Sequence, residues 1–277
     1  MTSDSVQSLV RYLLPSGEKP IYIASQGGEQ AQLSINAEFE DRLVTIHNAR
    51  QLERPANLDR EGFALLSHRT EIDDFYTLED KQSAYEAELR QLLLEATGAI
   101  DLMVFDHTLR SDSPDVRSEH SSREPASVIH NDYTDASAEK RLRDLLSTGE
   151  AEGRLQARYA IINAWRTIKE TVVQSPVACC DARTVADGDL VASERRSRER
   201  IGELQLVSWN PGHQWFYYPA MTRNEVLLIK TFDSALDGRS RRSIHTAFCD
   251  PTAPEDAAAR ESIESRMLVF YSPSKGL

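Results

Sequence analysis

A mainly β protein, with a jelly-roll, cupin-like core and flanking helices, is the fold class that three features of the sequence predict. Between residues 158 and 271, seven short apolar runs succeed one another with Pro, Gly, Asn and Asp between them, the punctuation of short strands joined by turns. One long segment, residues 77 to 99, carries apolar positions at clear helical spacing. No apolar run approaches the roughly 18 to 20 residues needed to cross a bilayer.

The elements follow in order. The first 60 residues mix short strands and turns, as in "PIYIAS" (20 to 25), the pair Gly27 and Gly28, and "RLVTIHNAR" (42 to 50); they are expected as an N-terminal segment packed on the core. "GFALLSHRT" is a Gly-led strand. In "TLEDKQSAYEAELRQLLLEATGA" (77 to 99), Thr77 and Asp80 suit the first turn, Leu78, Tyr85, Leu89, Leu92 and Leu93 form an apolar stripe, and Gly98 sits where a C-cap belongs. The strand "IDLMVFDHTLR" (100 to 110) comes next. Residues 111 to 126, "SDSPDVRSEHSSREPA", offer almost nothing to bury and are expected as a mobile loop, placed like a lid just before His130. "ASAEKRLRDLLSTGEAEG" (136 to 153) reads as one short helix closed near Gly149. The seven runs then build the β core: "RYAIINAWRTI", "SPVACCDARTV", "LQLVSWN", "HQWFYYP", "EVLLIKTFDS", "IHTAFCD" and "ESRMLVFY".

At 277 residues the expectation is one large domain, 1 to 277, with core enough to fold alone. A net charge of -12 argues against nucleic acid, which draws its affinity from clustered Lys and Arg. The basic stretch "SERRSRER" (193 to 200) alternates with acids and is expected as a solvated face. Three cysteines, with no Cys-x-x-Cys, make neither a disulfide framework nor a zinc ribbon. The N-terminus has an acid where a signal peptide needs a basic region, so the expected location is cytoplasmic, away from membranes. A small molecule is the expected partner, with a homodimer as one assembly the sequence allows.

The chemistry centres on "SVIHNDYTDAS" (127 to 137). In an extended chain, side chains at i and i+2 point the same way, so His130 and Asp132 can converge on one cation while Asn131 faces away. Two histidines and one carboxylate with open positions form the facial triad of non-haem Fe(II) oxygenases. His107, His213 and His245 all lie in or beside strand-like segments and could supply the second histidine. His245 stands out because the next strand brings Arg260 and Arg266, six apart and on one face if extended. A buried guanidinium needs an anionic partner, and a dicarboxylate would pair with it bidentately.

With those residues in view, "IHNDYT", "NAWRTI", "CDARTV", "GHQWFYYPAMTRNEVLLIKTFDS", "HTAFCDP" and "RESIESRMLVFY" together resemble the CmcJ/NvfI family. That family includes a cephalosporin 7-alpha-hydroxylating/methoxylating component and fungal meroterpenoid endoperoxide-forming and hydroxylating enzymes. The resemblance runs from about Gly62 to Tyr271. It implies a double-stranded β-helix and an Fe(II) centre using 2-oxoglutarate and O2 as cosubstrates to oxidise a natural product or its precursor. It implies His130, Asp132 and His245 as iron ligands, and Arg260 or Arg266 as holders of the 2-oxoglutarate carboxylates. Asn163, Trp165, Arg166, Tyr218, Pro219 and Lys230 match further family positions expected to line the cosubstrate or substrate pocket. Asn131 and Thr167 depart from the family pattern, which bears on pocket shape. Two other classes fit the residues less fully: an iron and O2 enzyme without 2-oxoglutarate, and a non-catalytic β-barrel ligand-binding module.

Overall fold

The computed structural model describes residues 4–28, 32–198 and 200–273. In chain order its strands are β1 (Ser5–Leu13), β2 (Ile21–Ile23), β3 (Ser34–Ile35), β4 (Phe39–Asn48), β5 (Phe63–Ser67), β6 (Asp101–Ser111), β7 (His130–Asn131), β8 (Tyr159–Thr167), β9 (Thr171–Val172), β10 (Val177–Cys180), β11 (Leu190–Arg196), β12 (Ile201–Val207), β13 (Trp215–Tyr217), β14 (Met221–Thr222), β15 (Glu225–Asp233), β16 (His245–Ala247) and β17 (Glu261–Phe270). The helices are α1 (Gln82–Thr97), α2 (Pro114–His120), α3 (Asp135–Leu145) and α4 (Thr148–Leu155).

Ten strands form one sheet in the order β1, β4, β13, β10, β16, β7, β12, β11, β2, β3. Five form a second, in the order β5, β15, β8, β17, β6. The sheets face each other, and side chains of both fill the space between: Phe63, Trp165, Leu227 and Ile229 from the smaller, Val177, Cys179 and Phe216 from the larger. The result is a jelly roll, the fold class expected from the strand pattern.

The smaller sheet is buried on both faces, and β8 shows why its sequence reads as a nearly continuous apolar run. Ile162 and Ala164 point outward against Tyr85, Leu89 and Leu93 of α1, while Trp165 points between the sheets. Alternation along the strand thus serves two cores at once. Helix α1 ends where expected: Gly98 takes a left-handed φ of 66° and its amide bonds Leu94 O at 3.1 Å, a conformation glycine adopts without strain.

Three expectations differ from what is observed. The N-terminal segment is built into the larger sheet: β1 pairs antiparallel with β4 from Ser5↔His47 to Leu13↔Phe39, and β4 runs parallel to β13. The single helix expected over 136–153 is two, because Ser147 leaves helical conformation at the start of α4, where its amide and hydroxyl donate to Glu150 Oε2 at 3.2 and 2.5 Å, placing Gly149 inside α4. Segment 111–126 is pinned rather than bare. It carries α2, capped by Ser113, it stacks His120 on Tyr76 at 3.6 Å, and it closes through Ser111 N to Arg123 O (2.8 Å) and Arg123 N to Leu109 O (2.9 Å). Among the described residues, no helix is long and apolar enough to cross a membrane.

Candidate metal centre

The two histidines meet because β7 is short and central in the larger sheet. It pairs antiparallel with β16, which sets His130 directly opposite His245, their rings 4.5 Å apart. Asp132 follows two residues after His130, at the point where Thr134 caps α3, so the chain turns immediately beyond it. His130, Asp132 and His245 each offer a ligand atom, and all three atoms lie within 4.8 Å of one another. No other group of this kind occurs among the described residues.

Hydrogen bonds behind the donors prepare them. His130 Nδ1 lies 2.8 Å from Val128 O and His245 Nδ1 lies 3.1 Å from Ser243 O. A ring that donates from Nδ1 to a carbonyl keeps Nε2 as a bare lone pair, the form a metal takes. Burial, then repulsion from His130, pushes His245 down to about 4, so it is neutral at pH 7. Asp132 shows the opposite balance: burial raises its carboxyl, but Arg266 and then the two histidines hold it well below the usual range. Its Oδ1 lies 3.5 Å from His130 Nε2, while its Oδ2 accepts from Asn163 Nδ2 at 2.7 Å and Arg266 Nε at 3.2 Å. One oxygen is held by the protein and the other is left toward the histidines.

That support comes from the smaller sheet. Arg266 of β17 and Asn163 of β8 are register partners and approach Asp132 side by side. Arg266 also donates to Asp106 Oδ2 at 2.6 Å and Glu264 Oε2 at 2.5 Å. Burial opposes its charge, but Glu264, Asp132 and Asp106 outweigh that and hold it charged. Glu264 accepts from Asn163 as well, at 2.9 Å. Sequence reasoning missed Glu264, although it lies two residues from Arg266 and period-2 alternation places both on one face.

A narrow cavity of about 20 Å³ adjoins the triad, lined by His130, His245, Trp165, Ile229, Arg260 and Glu264 among others. Arg260 is only 3% exposed. It donates to Ser175 O (2.8 Å) and Ser262 Oγ (3.1 Å) and lies 5.1 Å over the Trp165 ring. Burial pulls its guanidinium down to about 10, so it stays cationic at neutral pH, and among the described residues no carboxylate is bonded to it. Trp165 Nε1 and Asn163 Oδ1 are buried without a hydrogen-bond partner, which is rare unless a ligand completes the site. These orphaned groups and the spare cation fit a metal with a small anionic co-ligand.

Arg260 and Arg266 therefore divide the work expected of the pair: one faces the cavity, the other the carboxylate. Of three other expected contacts, two lie elsewhere. Arg166 is on the α1 side of β8, opposite in parity to Asn163 and Trp165, with Nη2 2.7 Å from His68 Nδ1. Lys230 pairs across the sheet with Ile162, an outward position, and gives its ammonium to Asp59 (2.6 Å), Asp233 (2.9 Å) and Ser240 O (3.0 Å). Tyr218 packs edge-on against Phe63 at 6.3 Å, in the same inter-sheet cluster as Trp165, Val177 and Ile229, but it does not line the cavity beside the triad. Of the alternative histidines, His107 is held by Ser265 (2.8 Å) and His213 by Tyr12 (3.0 Å) and Asp189 (3.2 Å).

Residues 10–270 match the family described as YDMC, Oxidoreductase/YMDC permease-like domain. The chain is 33% identical over 261 residues to the hydroxylase/desaturase efuI of Hormonema carpetanum, covering 86% of each. It is 31% identical over 256 residues to the Fe(II)/2-oxoglutarate-dependent dioxygenase nvfI of Aspergillus novofumigatus, covering 86% of this chain and 87% of that one. The solved structure of the iron and alpha-ketoglutarate-dependent endoperoxidase NvfI superposes with a TM-score of 0.84 at 27% identity, over 97% of this chain and 99% of that one.

Proposed function

The chain belongs to the YDMC family (Oxidoreductase/YMDC permease-like domain) and, with the dioxygenase nvfI, to the Fe(II)/2-oxoglutarate-dependent oxygenases, and on that premise we propose His130, Asp132 and His245 as its iron ligands. It is an oxidoreductase of that class, acting on a small molecule of secondary metabolism. The observation that carries the ligand assignment is the convergence of the three donor atoms within 4.8 Å beside a buried arginine to which, among the described residues, no acidic partner is bonded. Iron, 2-oxoglutarate and O2, once bound, supply the oxidation itself, with 2-oxoglutarate leaving as succinate and CO2.

The chain's own residues bind and orient. His130 and His245 enter as neutral imidazoles, and Asn163 and Arg266 hold Asp132 so that a single oxygen faces the metal. Arg260, with Ser262 and the free Trp165 Nε1 beside it, is the anchor for a 2-oxoglutarate carboxylate. Because the cavity holds only about 20 Å³, a carboxylate there would take the place of the bond from Arg260 to Ser175 O. Val177, Ile229 and the Trp165 ring, which line the same cavity, keep it dry. Whether hydroxylation, desaturation, cyclisation or endoperoxidation follows depends on how the substrate is held against the metal.

Uncoupled turnover tests this reading. The aerobic protein with Fe(II) should convert 2-oxoglutarate to succinate slowly without any substrate, and should stop when Zn(II) replaces Fe(II). Iron-dependent O2 uptake without succinate would favour an oxidase that does not use 2-oxoglutarate. Segment 111–126 serves in this proposal as a lid: trimming it raises the substrate KM and leaves anaerobic iron binding intact. We further propose a cytoplasmic enzyme with a small-molecule substrate and no nucleic-acid or membrane partner; sedimentation velocity tests the homodimer that the sequence allows.

A further inference from the structure

A cavity of about 750 Å³ opens on the other side of the triad, and Asp132 and Arg266 form part of its wall. Its volume suits a drug-sized ligand. Its lining is cationic, although the whole chain carries a net charge of -12. Lys140 is neutralised by Asp144 at 2.7 Å, and Arg266 is taken by Asp132, Asp106 and Glu264. That leaves Arg123, Arg141, Arg195, Arg198 and Arg200 on the wall, and among the described residues no carboxylate is within ion-pair distance of any of them.

Three separate elements bring these arginines together. Arg123 follows α2, Arg141 lies on α3, and the β11–β12 hairpin supplies the rest. In that hairpin Arg195 pairs with Gly202, and the tip closes through Ser197 N to Arg200 O at 2.9 Å. Glu194 and Arg196, of opposite parity, pair with each other outside. The stretch 193–200, expected as a solvated face, thus turns one side into the cavity, a placement that only the tertiary fold reveals. Arg141 lies over the Phe105 ring at 4.6 Å, and its Nε is buried without a partner. Burial first, then the neighbouring cations, lower the affinity of Arg123, Arg141 and Arg195 for their protons, against the smaller opposing pull of Asp106, Asp132 and Asp144.

Resting on the oxygenase reading, we propose that the substrate is an organic oxyanion, a small molecule bearing a carboxylate or phosphate, which these arginines seat so that its carbon skeleton reaches the metal. Guanidinium pairs strongly and directionally with either group, and a cleft of one sign draws in the opposite charge. Arg123, Arg141, Arg195 and Arg200 are half-buried and Arg198 is exposed; crowding partly desolvated cations is unfavourable, and an anion among them offsets that cost.

The test uses two fluorescent probes of one scaffold, 8-anilinonaphthalene-1-sulfonate and the neutral N-phenyl-1-naphthylamine, titrated anaerobically into protein loaded with Fe(II) and 2-oxoglutarate. The anionic probe should bind at least about tenfold tighter, and the Arg195→Ala/Arg200→Ala variant should lose that preference while keeping its affinity for the neutral probe. Displacement by phenyl phosphate alone assigns a phosphate, by phenylacetate alone a carboxylate. Equal affinity for both probes, or displacement by neither acid, overturns the proposal. In a parallel titration of the Fe(II) protein without 2-oxoglutarate, displacement of the bound anionic probe by 2-oxoglutarate at the concentrations that saturate the metal site also overturns it, since the cavity would then be the cosubstrate's. The visible band of the iron and 2-oxoglutarate complex, recorded on the same samples, separates this failure from failure of the oxygenase reading: a normal band with no probe preference removes only the anionic substrate.

Discussion

Asp132 Oδ2 receives Asn163 Nδ2 at 2.7 Å and Arg266 Nε at 3.2 Å, so half of the carboxylate is already occupied before any metal arrives. Protein hydrogen bonds to the outer oxygen fix which oxygen a metal meets and keep the group ionised.

The neutral half of that support can be removed without stranding a charge. Asn163→Ala is expected to weaken anaerobic Fe(II) binding by about 10- to 100-fold, the usual effect of losing a group that orients a metal ligand, with the fold retained by circular dichroism. An unchanged affinity would mean that Arg266 alone suffices to orient Asp132.

Arg260 is expected to govern cosubstrate binding and leave iron binding alone. Arg260→Ala should weaken 2-oxoglutarate by about 10- to 150-fold, which corresponds to ~1.5–3 kcal/mol for a charge-assisted hydrogen bond. Fe(II) affinity measured without 2-oxoglutarate should stay within about twofold of wild type. Equal losses in both titrations would instead indicate that the cavity had collapsed.

Lys230 separates a structural role from a cofactor role. Its ammonium and Asp233 are both almost wholly buried, and Arg158 shares the carboxylate at 2.6 Å. Breaking such a pair costs about 3–5 kcal/mol, so Lys230→Met should lower the denaturation midpoint strongly. The folded variant should still bind 2-oxoglutarate as wild type does. A selective loss of cosubstrate affinity at full stability would return Lys230 to the pocket.

Stability of the metal-free protein should fall on mild acidification. His68, His107 and His213, all outside the triad, are held below the ordinary value of 6.5, each chiefly by burial. Near and below 6.5 the unfolded chain therefore takes up protons that the folded chain refuses. Their contribution is complete above that value and is lost as the pH falls toward the lower folded values. The urea midpoint should be lower at pH 5.5 than at pH 7.5; a midpoint that holds or rises would contradict the burial of these rings.

Much of the site was legible because it rests on local periodicity. His130 and Asp132 are two apart in an extended chain, and Arg260, the residue just before β17, has the same parity as Arg266 within it. The β core was legible from short apolar runs, and the end of α1 from Gly98. Pairing between strands was not: nothing local sets His245 opposite His130, or Arg266 opposite Asn163, because register is settled by packing across the whole sheet. The cationic cavity was hidden for the same reason, since its arginines come from α3, the residues after α2 and a hairpin that reads as a charged surface. Two features were readable and missed. The Ser147-x-x-Glu150 box announces the start of α4, and strand parity places Arg166 away from Asn163.

The most direct test of the iron and 2-oxoglutarate centre is an anaerobic absorbance titration of the metal-free protein, first with Fe(II) and then with 2-oxoglutarate. A visible charge-transfer band is expected in the wild type, absent in His130→Ala and weakened in Arg260→Ala. Iron binding with no band on adding 2-oxoglutarate, or a band that survives His130→Ala undiminished, would contradict the assignment of His130, Asp132, His245 and Arg260 to one cofactor site.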